Sequence, residues 1–262
     1  FMTGLAVGTV AAMGLFIRDQ SRSVLRRVQF GDVCRSLRIR SSVARDLQLQ
    51  HGREIVVAEA EGVLFFGSMD RLLIQISLLA KEARTVILDL RRITDIDQTA
   101  CQLLRKAATQ YRQAGCKLML SHLPAERSFF NRLRASQVES SIPLDCWFPD
   151  LDLALDHAEA ELLQRHGLTR DVIAVVPFAE SDLVLGMSAD EIETLAGFMR
   201  KSTIVVGELL FHQGDPGTSL FIVLRGAVSI HLSHTATASK RLIAFGPGAV
   251  FGEMALITGA PR

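Results

Sequence analysis

The sequence predicts a short remnant of a membrane helix, then an α/β sandwich with a mixed sheet and helices, and then an incomplete β-barrel with leading helices. Three observations support this prediction. Strand-like and helix-like runs alternate between residues 53 and 166, short β-rich runs alternate with glycine turns from Ser202 onward, and residues 1–17 carry no charge. At 262 residues the chain is long enough for two domains of about 100 to 200 residues each.

The composition excludes several classes of function. The net charge is only +1, so we expect no nucleic acid as a partner. The four cysteines are scattered and form no CxxC pair, which predicts neither a disulfide framework nor a zinc site and is typical of a reduced compartment. His212, His231 and His234 lack the spacing of metal ligands, so no metal is expected.

Residues 1–17 have the character of the end of a transmembrane helix. As a helix they would span about 25 Å, slightly less than the ~30 Å hydrocarbon core. Gly4, Gly8 and Ala12 recur at the spacing that lets a neighbouring helix approach closely. No positive residue precedes the run and no small-residue cleavage site follows it, which argues against a signal peptide. We therefore expect the protein in the inner (plasma) membrane.

An arginine-rich stretch, residues 18–52, comes next. From Arg18 to Arg53 nine arginines stand against three aspartates. Such an excess beside an apolar helix marks the cytoplasmic side of a membrane. We expect a juxtamembrane linker that attracts anionic lipid, with everything from about residue 18 onward cytoplasmic. A plain solvated linker is compatible with the same charges.

Residues 53–166 have the alternating pattern of an α/β domain. The runs REIVVAEA and GVLFFG, with a Glu-Gly turn between them, predict an antiparallel hairpin, and Asp70 is placed to cap the next helix. TVILDL is the apolar run of a strand that is covered on both faces. Asp97 then caps a helix that Gly115 ends. The remaining expected elements are a strand at 117–123, a helix at 126–135, a strand at 144–148 and a helix at 150–166.

The order hairpin, helix, VILDL strand, IDQTA loop, helix and strand resembles the STAS domain, which is shared by SulP (sulphate permease) anion transporters and anti-sigma-factor antagonists. Together with the apolar run, the RSLRIRS connector and EGVLFFGSMDRL, it is similar to the carboxyl side of a SulP transporter. The resemblance covers residues 1 to about 166. It implies a STAS sandwich in residues 53–166 that docks beneath the protein's own upstream transmembrane domain.

In the signalling branch of that family, a phosphorylated Ser or Thr stands two residues after an Asp in a D-S-[ST]-G pattern. Asp97 and Thr99 match this pattern, whereas Gln98 and Ala100 depart from it. A phosphate at a helix N-terminus is favoured by the helix dipole, although Asp95 and Asp97 would repel it. The resemblance makes Asp97 and Thr99 a candidate phosphorylation loop, and a purely structural helix start stays open as the alternative.

After a linker at residues 167–176, a new composition begins at Pro177. Ser188 and Glu191 form a capping box ahead of a helix. From Ser202 the runs TIVVGELLFHQGDPGTSLFIVLRGAVSIHL and RLIAFGPGAVFGE predict short strands separated by glycine turns. Most of these glycines are expected to supply positive φ at corners: Gly207, Gly214, Gly217, Gly226, Gly246 and Gly248.

Residues 177–262 resemble a cyclic nucleotide-binding domain, the jelly-roll barrel of catabolite activator protein and of protein kinase A regulatory subunits. The leading helices, the stretch GELLFHQGDPGTSLFIVLRGAVSI and above all FGEMALITGAPR carry the resemblance. This last stretch, residues 251–262, matches the family's phosphate-binding cassette and is called the cassette below. The family places further strands and a lid helix after it, so we expect a barrel truncated after the cassette. Phe251 and Leu256 are expected in the core.

The resemblance implies a cyclic nucleotide as the ligand, with cyclic AMP favoured over cyclic GMP, and no cofactor. A cyclic phosphate carries one negative charge, which suits the free backbone N–H groups of a helix N-terminus. In the family's arrangement Gly252 lets the backbone come close, Glu253 accepts from the ribose 2′-hydroxyl and Arg262 binds the phosphate. The amides of Glu253, Met254 and Ala255 would face the anion.

These features predict the cytoplasmic regulatory region of a secondary anion transporter of the sulphate or bicarbonate type, in which a cyclic nucleotide-sensing domain modulates transport by linkage. Two alternatives stay open. One is a soluble STAS signalling adaptor that is switched by phosphorylation at Thr99, and the other is the regulatory half of an enzyme whose catalytic domain is missing from this chain. The sequence pattern brings no nucleophile, base and orienting group together, so the chain itself is not expected to be catalytic. A homodimer is compatible with the sequence.

Overall fold

Most of the chain is described by a computed structural model. Among the described residues, none of the helices combines the length and the apolar character needed to cross a membrane. The predicted membrane-helix remnant, residues 1–17, lies outside the described residues, as do residues 169–174 of the predicted linker. The described ranges are 24–123, 128–168, 175–235 and 238–262.

The chain divides into two compact units. Among the described residues, the first contains residues 24–36, 52–123 and 128–158, and the second contains residues 37–51, 159–168, 175–235 and 238–262. In chain order the elements are β1 (Leu25–Phe30), β2 (Arg38–Ile39), α1 (Ser42–His51), β3 (Ile55–Leu64), α2 (Phe66–Leu79), β4 (Thr85–Ile96), α3 (Gln98–Gln113), β5 (Lys117–Ser121), α4 (Ser128–Ala135), α5 (Leu151–Arg165), α6 (Ala189–Phe198), β6 (Phe221–Ile222), β7 (Val228–Thr235), β8 (Ala238–Phe245), β9 (Val250–Phe251) and α7 (Glu253–Thr258).

The first unit is built on a four-stranded sheet in the order β1-β3-β4-β5. β1 runs antiparallel to β3, whereas β3, β4 and β5 are parallel to one another. Residues 86–88 of β4 are completely buried. Because successive side chains of a strand point to opposite faces, this burial means that both faces of the sheet are covered at its centre. The mixed α/β sandwich is therefore confirmed, with a strand at TVILDL that continues to Ile96.

The segment that was expected to form a hairpin is one continuous strand. β3 pairs with β1 on one side and with β4 on the other, so both of its edges are occupied. Gly62, expected in a turn, has a φ of +94° and stands where the register against β4 shifts. The Glu-Gly pair forms a β-bulge, and the hairpin prediction is wrong.

The two helix caps predicted in this unit have different outcomes. α2 begins before Asp70, because Phe65 is its N-cap residue and the Phe65 N–H donates to Oγ of Ser68 at 2.9 Å. The prediction that Asp70 caps this helix is therefore wrong. Asp97 does cap α3, since its carboxylate accepts from a backbone N–H three residues further on at 2.6 Å. Gly115, with a φ of +75°, follows the end of α3 as predicted.

The strand predicted at residues 144–148 is reduced to a single bridge. A 3₁₀ turn occupies Leu144–Cys146, and Trp147 forms an isolated parallel bridge with Leu120. Pro149, two residues after Trp147, has no N–H with which to extend a ladder of hydrogen bonds.

The arginine-rich stretch is not a plain linker, because its described residues include β1, β2 and α1. In the first unit, the Arg26 guanidinium donates to the Glu61 carboxylate at 2.8 Å. In the second unit, Arg40 forms an ion pair with Glu159 at 3.3 Å, and both side chains are 2% exposed. Carboxylates that are distant in the sequence thus offset part of the positive charge that we expected to face lipid.

The second unit contains two small sheets. One has the order β2-β8-β7, with β2 parallel and β7 antiparallel to β8, and the other pairs β6 with β9. Within the described part of the chain these strands form two separate sheets. Their shared core consists of Val223, Phe245, Ala249 and Phe251. Phe251 is therefore a core residue as expected, whereas Leu256 is 46% exposed and is not.

The helix cap and some of the glycine conformations that the sequence predicts are found in the second unit. The capping box is present, with the Ser188 N–H donating to the Glu191 carboxylate at 2.8 Å. Gly217 and Gly246 have no positive φ, but an added Cβ would meet a close neighbour at both, and at Gly246 this is Nε of Arg38 at 2.9 Å. A Cβ on Gly217 would lie 2.0 Å from the Cβ of Ala255. Positive φ is found at the other four glycines, Gly207, Gly214, Gly226 and Gly248.

Candidate functional site

The cassette brings Gly252 and Arg262 together although they stand ten positions apart. Gly252 is the N-cap residue of α7 and has a φ of +85°, which only glycine adopts without strain. A Cβ at this position would lie 3.1 Å from Nη1 of Arg262. The arginine is therefore packed directly against the glycine backbone.

The backbone of Arg262 is anchored to the loop that precedes β6. Its N–H donates to the carbonyl of Asp215 at 2.9 Å, and its carbonyl accepts from the N–H of Gly214 at 2.7 Å. The Asp215 carboxylate in turn accepts from the N–H of His212 at 2.8 Å. The first two hydrogen bonds hold the end of the cassette against the loop, and the third closes the loop itself.

The guanidinium of Arg262 is held on three sides. Nη2 donates to the carbonyl of Ser219 at 2.5 Å. The Cζ atom lies 4.3 Å from the ring centroid of Phe211 and 4.8 Å from that of Phe221. Nη1 is buried and has no hydrogen-bond partner among the described residues. An unpaired buried donor costs free energy, so an anion that accepts a hydrogen bond here would be favoured.

The other predicted ligand residues lie on α7. Glu253 is the first residue of this helix and is half-buried, and its carboxylate makes no hydrogen bond or ion pair with the described residues. Met254 is 65% exposed, whereas Ala255 is 7% exposed and packs against Gly217. The structure thus brings Gly252 to Arg262 and places Glu253 next to that glycine, while the Met254 side chain points to solvent.

Sequence reasoning missed the residues that hold Arg262. The sequence did not identify Phe211, Ser219 or Phe221 as site residues. Gly217 was expected only to turn the chain between strands. A signal was present, since FHQGDPGTSLF has a phenylalanine at each end of a Gly-Asp-Pro-Gly segment. Such a segment turns the chain and brings its flanks together.

A second candidate site lies in the first unit, at the start of α3. Thr99 is exposed in the first turn of the helix. Arg132 of α4 donates to the carboxylate of Asp95 and to the carbonyl of Ile96. This arginine offsets one of the two negative charges that were expected to repel a phosphate. A surface depression of ≈ 350 Å³ adjoins the loop and is lined by Asp97, Gln98, Arg132, Ala135 and Ser136.

Two family models match parts of the chain. The model of the STAS domain matches residues 46–154, and the model of the cyclic nucleotide-binding domain matches residues 203–262. The chain carries a STAS domain and a cyclic nucleotide-binding domain. The Thr99 loop lies in the STAS domain, and the contact between Gly252 and Arg262 lies in the cyclic nucleotide-binding domain. Both are regulatory modules, and the second supports a cyclic nucleotide as the ligand.

Among curated proteins, Glutaminase 1 of Bradyrhizobium diazoefficiens is 28% identical over 222 residues, which cover 85% of this chain and 35% of the glutaminase. The cyclic AMP receptor protein of Thermus thermophilus is 30% identical over 82 residues, which cover 31% of this chain and 38% of that protein. The chain therefore spans little more than a third of the length of either relative.

Among solved structures, a sulfate transporter family protein from Wolinella succinogenes is 25% identical, with coverage of 42% of this chain and 88% of that chain. The TM-score is 0.38, and a similarity this limited supports no conclusion about function.

Proposed function

We propose that this chain is the cyclic nucleotide-sensing regulatory region of a larger protein. The observation that supports this proposal is the environment of Nη1 of Arg262. This nitrogen is buried, lacks a hydrogen-bond partner among the described residues and lies against the backbone of Gly252. An oxygen of a cyclic phosphate would accept the hydrogen bond that this nitrogen lacks, and its negative charge would offset the guanidinium. The ligand-binding residues of the proposal are Gly252, Glu253, Met254, Ala255 and Arg262.

Each residue has a distinct part in this proposal. The bare backbone of Gly252 lets the phosphate come close, and Arg262 binds it through a charge-assisted hydrogen bond. Glu253, whose carboxylate has no partner among the described side chains, accepts from the ribose 2′-hydroxyl. The name of the Thermus relative, a cyclic AMP receptor protein, supports cyclic AMP over cyclic GMP.

The regulated activity that we propose first is that of a glutaminase-type enzyme. Only 40 residues of the chain lie outside the part that aligns with Glutaminase 1. A continuous alignment of that length includes residues 41–222, and so it covers the whole STAS match and the start of the cyclic nucleotide-binding match. The STAS domain and at least the start of the cyclic nucleotide-binding domain are therefore shared with a protein that is named as an enzyme. This favours the regulatory half of an enzyme over the transporter that the sequence first suggested.

Regulation of a SulP-type anion transporter is the second candidate. One observation favours it: an uncharged run at residues 1–17 is followed by nine arginines up to Arg53. This pattern is typical of the cytoplasmic end of a membrane helix. On this proposal the region lies on the cytoplasmic face of the inner membrane, contacts the upstream transmembrane domain and attracts anionic lipid through its exposed arginines.

Both candidates are tested on the full-length protein that contains this region. Calorimetry with cyclic AMP and cyclic GMP measures binding, ammonia release from glutamine measures hydrolysis, and sulphate flux into liposomes measures transport. We expect cyclic AMP to bind the wild type and to change its rate of hydrolysis, and to do so only at a much higher but still measurable concentration in Arg262→Ala. Arg200→Ala, which removes an exposed arginine from outside the cassette, is the matched control and should behave as the wild type.

The outcomes separate the proposals. Absence of binding below millimolar concentration would overturn nucleotide sensing. A change in sulphate flux without any hydrolysis would favour the transporter over the enzyme. Binding that alters neither activity would overturn both candidates for the regulated activity and leave the sensing role standing.

A further inference from the structure

Arg262 lies at the end of a column of phenylalanine rings. The centroids of Phe245 and Phe251 are 5.0 Å apart, those of Phe251 and Phe221 are 5.1 Å apart, and those of Phe221 and Phe211 are 6.1 Å apart. All three pairs are stacked, with interplanar angles of 27°, 18° and 25°. The column starts in the core of the second unit, at two rings that are almost completely buried.

The outer rings of this column face the guanidinium. Cζ of Arg262 lies within 5 Å of the centroids of both Phe211 and Phe221, which is inside the range of a cation–π interaction. The same guanidinium donates from Nη2 to the carbonyl of Ser219. With two ring faces and one carbonyl fixing its plane, its remaining donor edge at Nη1 lies beside Gly252.

We propose that Phe211 and Phe221 are positioning residues, which hold the guanidinium of Arg262 in one orientation before any anion binds. An arginine side chain loses considerable rotamer freedom when it is immobilised, and this loss weakens binding if it occurs only with the ligand. The two rings remove that freedom in the free protein. The orientation itself is a property of the free chain, and its consequence for affinity rests on the proposed nucleotide-sensing function.

A purely packing role is distinguishable from this one. Both rings are half-buried and also contact the core cluster, a role that leucine can fill. Attraction of a cation depends instead on the negative face of the ring. Fluorination of the ring weakens that negative face with little change in volume. A fluorinated ring therefore separates positioning from packing.

The first test measures Arg262 in the free chain by NMR of its labelled guanidinium. We expect ring-current shifts that set Arg262 apart from the other arginines and slow rotation about the Cζ–Nη2 bond. These signals should move toward the average of the other arginines in Phe211→Leu, in Phe221→Leu and with fluorinated phenylalanine at either position. Phe198→Leu is the control, since Phe198 is 83% exposed and should leave them unchanged. The inference would be overturned if the wild-type Arg262 signals matched the average of the other arginines, or if fluorinated rings left them unchanged.

The second test measures the affinity for cyclic AMP by calorimetry on the full chain. Each leucine variant should bind about 5-fold more weakly, which corresponds to about 1 kcal/mol for one cation–π contact. In an Arg262→Ala background the same variants should have no further effect, because the rings act through the arginine. An equal loss in that background would mean that the rings only support the fold and would overturn the inference. If the NMR signals behave as expected but the wild type binds no cyclic nucleotide, positioning stands and the proposed sensing function fails.

Discussion

Gly217 packs so closely against Ala255 that a Cβ on the glycine would lie 2.0 Å from the Cβ of the alanine. This contact fixes α7, and with it the start of the cassette, against the loop before β6. Neither residue was recognised as a packing pair from the sequence, because 38 positions separate them.

Gly217→Ala is expected to destabilise the second unit by about 1 to 3 kcal/mol, the usual cost of forcing an extra methyl group into a packed site. It should also weaken cyclic AMP binding, since α7 must move to admit the methyl group. Hydrogen exchange of the α7 amides measures the first effect and calorimetry the second. The control is Gly197→Ala, at a helical glycine with nothing within 4 Å of the new Cβ. That variant should be as stable as the wild type or more so.

Gly252→Ala should weaken ligand binding more than it weakens the fold. The substitution strains a backbone with a φ of +85° and pushes against Nη1 of Arg262 from 3.1 Å. The backbone strain alone costs about 1 to 2 kcal/mol. Gly207→Ala, at a φ of +87° with open space around its Cβ, carries the strain without the contact. If both variants bind cyclic AMP equally well, the contact with Arg262 has no part in binding.

The predictable part of this fold is the part that depends on local patterns. Buried strands such as TVILDL and helices with an Asp or Ser cap can be predicted from the sequence, because their burial and capping involve residues a few positions apart. The hairpin prediction was wrong because the pairing of β3 depends on a strand that is distant in the sequence. β1, which occupies one edge of β3, lies in a stretch where arginines conceal the strand pattern.

The same distinction holds for the candidate site. Gly252, Glu253 and Arg262 belong to one contiguous motif and could be named from it. Phe211, at one end of the loop that receives Arg262, acquires its role only when the chain folds back. The negative charge of Asp95 beside the helix start was recognised from the sequence. That Arg132, 37 positions away, offsets this charge is seen only in the tertiary structure.

Substitution by alanine should destabilise the first unit at Asp97 but have little effect at Asp70. Asp97→Ala removes the hydrogen bond that caps α3 and should lower the free energy of unfolding of the first unit by about 1 kcal/mol. Asp70→Ala, at an exposed helical position, should change it by less than about 0.5 kcal/mol. Trp147 is the single tryptophan of the chain, so its fluorescence in urea reports on this unit. Equal losses in the two variants would contradict the capping geometry.

Arg132→Ala should reveal how much of the charge at the start of α3 is offset. The ion pair between Arg132 and Asp95 is about half exposed, so its loss should cost no more than about 1 kcal/mol, and less at high salt. A glutamate at Thr99, which mimics a phosphate, should be tolerated less well in the Arg132→Ala background than in the wild type. Urea unfolding followed by Trp147 fluorescence measures both effects. Arg134→Ala on the same helix is the control, and an identical response would remove the special role of Arg132.

Asp89 should make the stability of the first unit depend on pH in the acidic range. Burial raises the pKa of Asp89, but hydrogen bonds from His122 at 2.8 Å and from the backbone N–H of Arg91 at 2.9 Å lower it by more, so that the net pKa lies below its ordinary value. A depressed pKa in the folded state stabilises the protein above the unfolded value of about 3.9. This contribution is lost as the pH falls through the folded pKa.

Asp89→Asn should therefore be less stable than the wild type at about pH 7 and should lose less of its remaining stability between ~pH 5 and ~pH 3. Urea titrations followed by Trp147 fluorescence at these pH values measure both quantities. Asp70→Asn, at an exposed aspartate, should keep the pH dependence of the wild type. The side chain of Asp89 is 2% exposed and bonds to His122, the residue that follows β5, so protonation of Asp89 removes the negative charge from a buried hydrogen bond at the end of that strand. An unchanged pH dependence in Asp89→Asn would mean that other carboxylates cause the acid sensitivity of this unit.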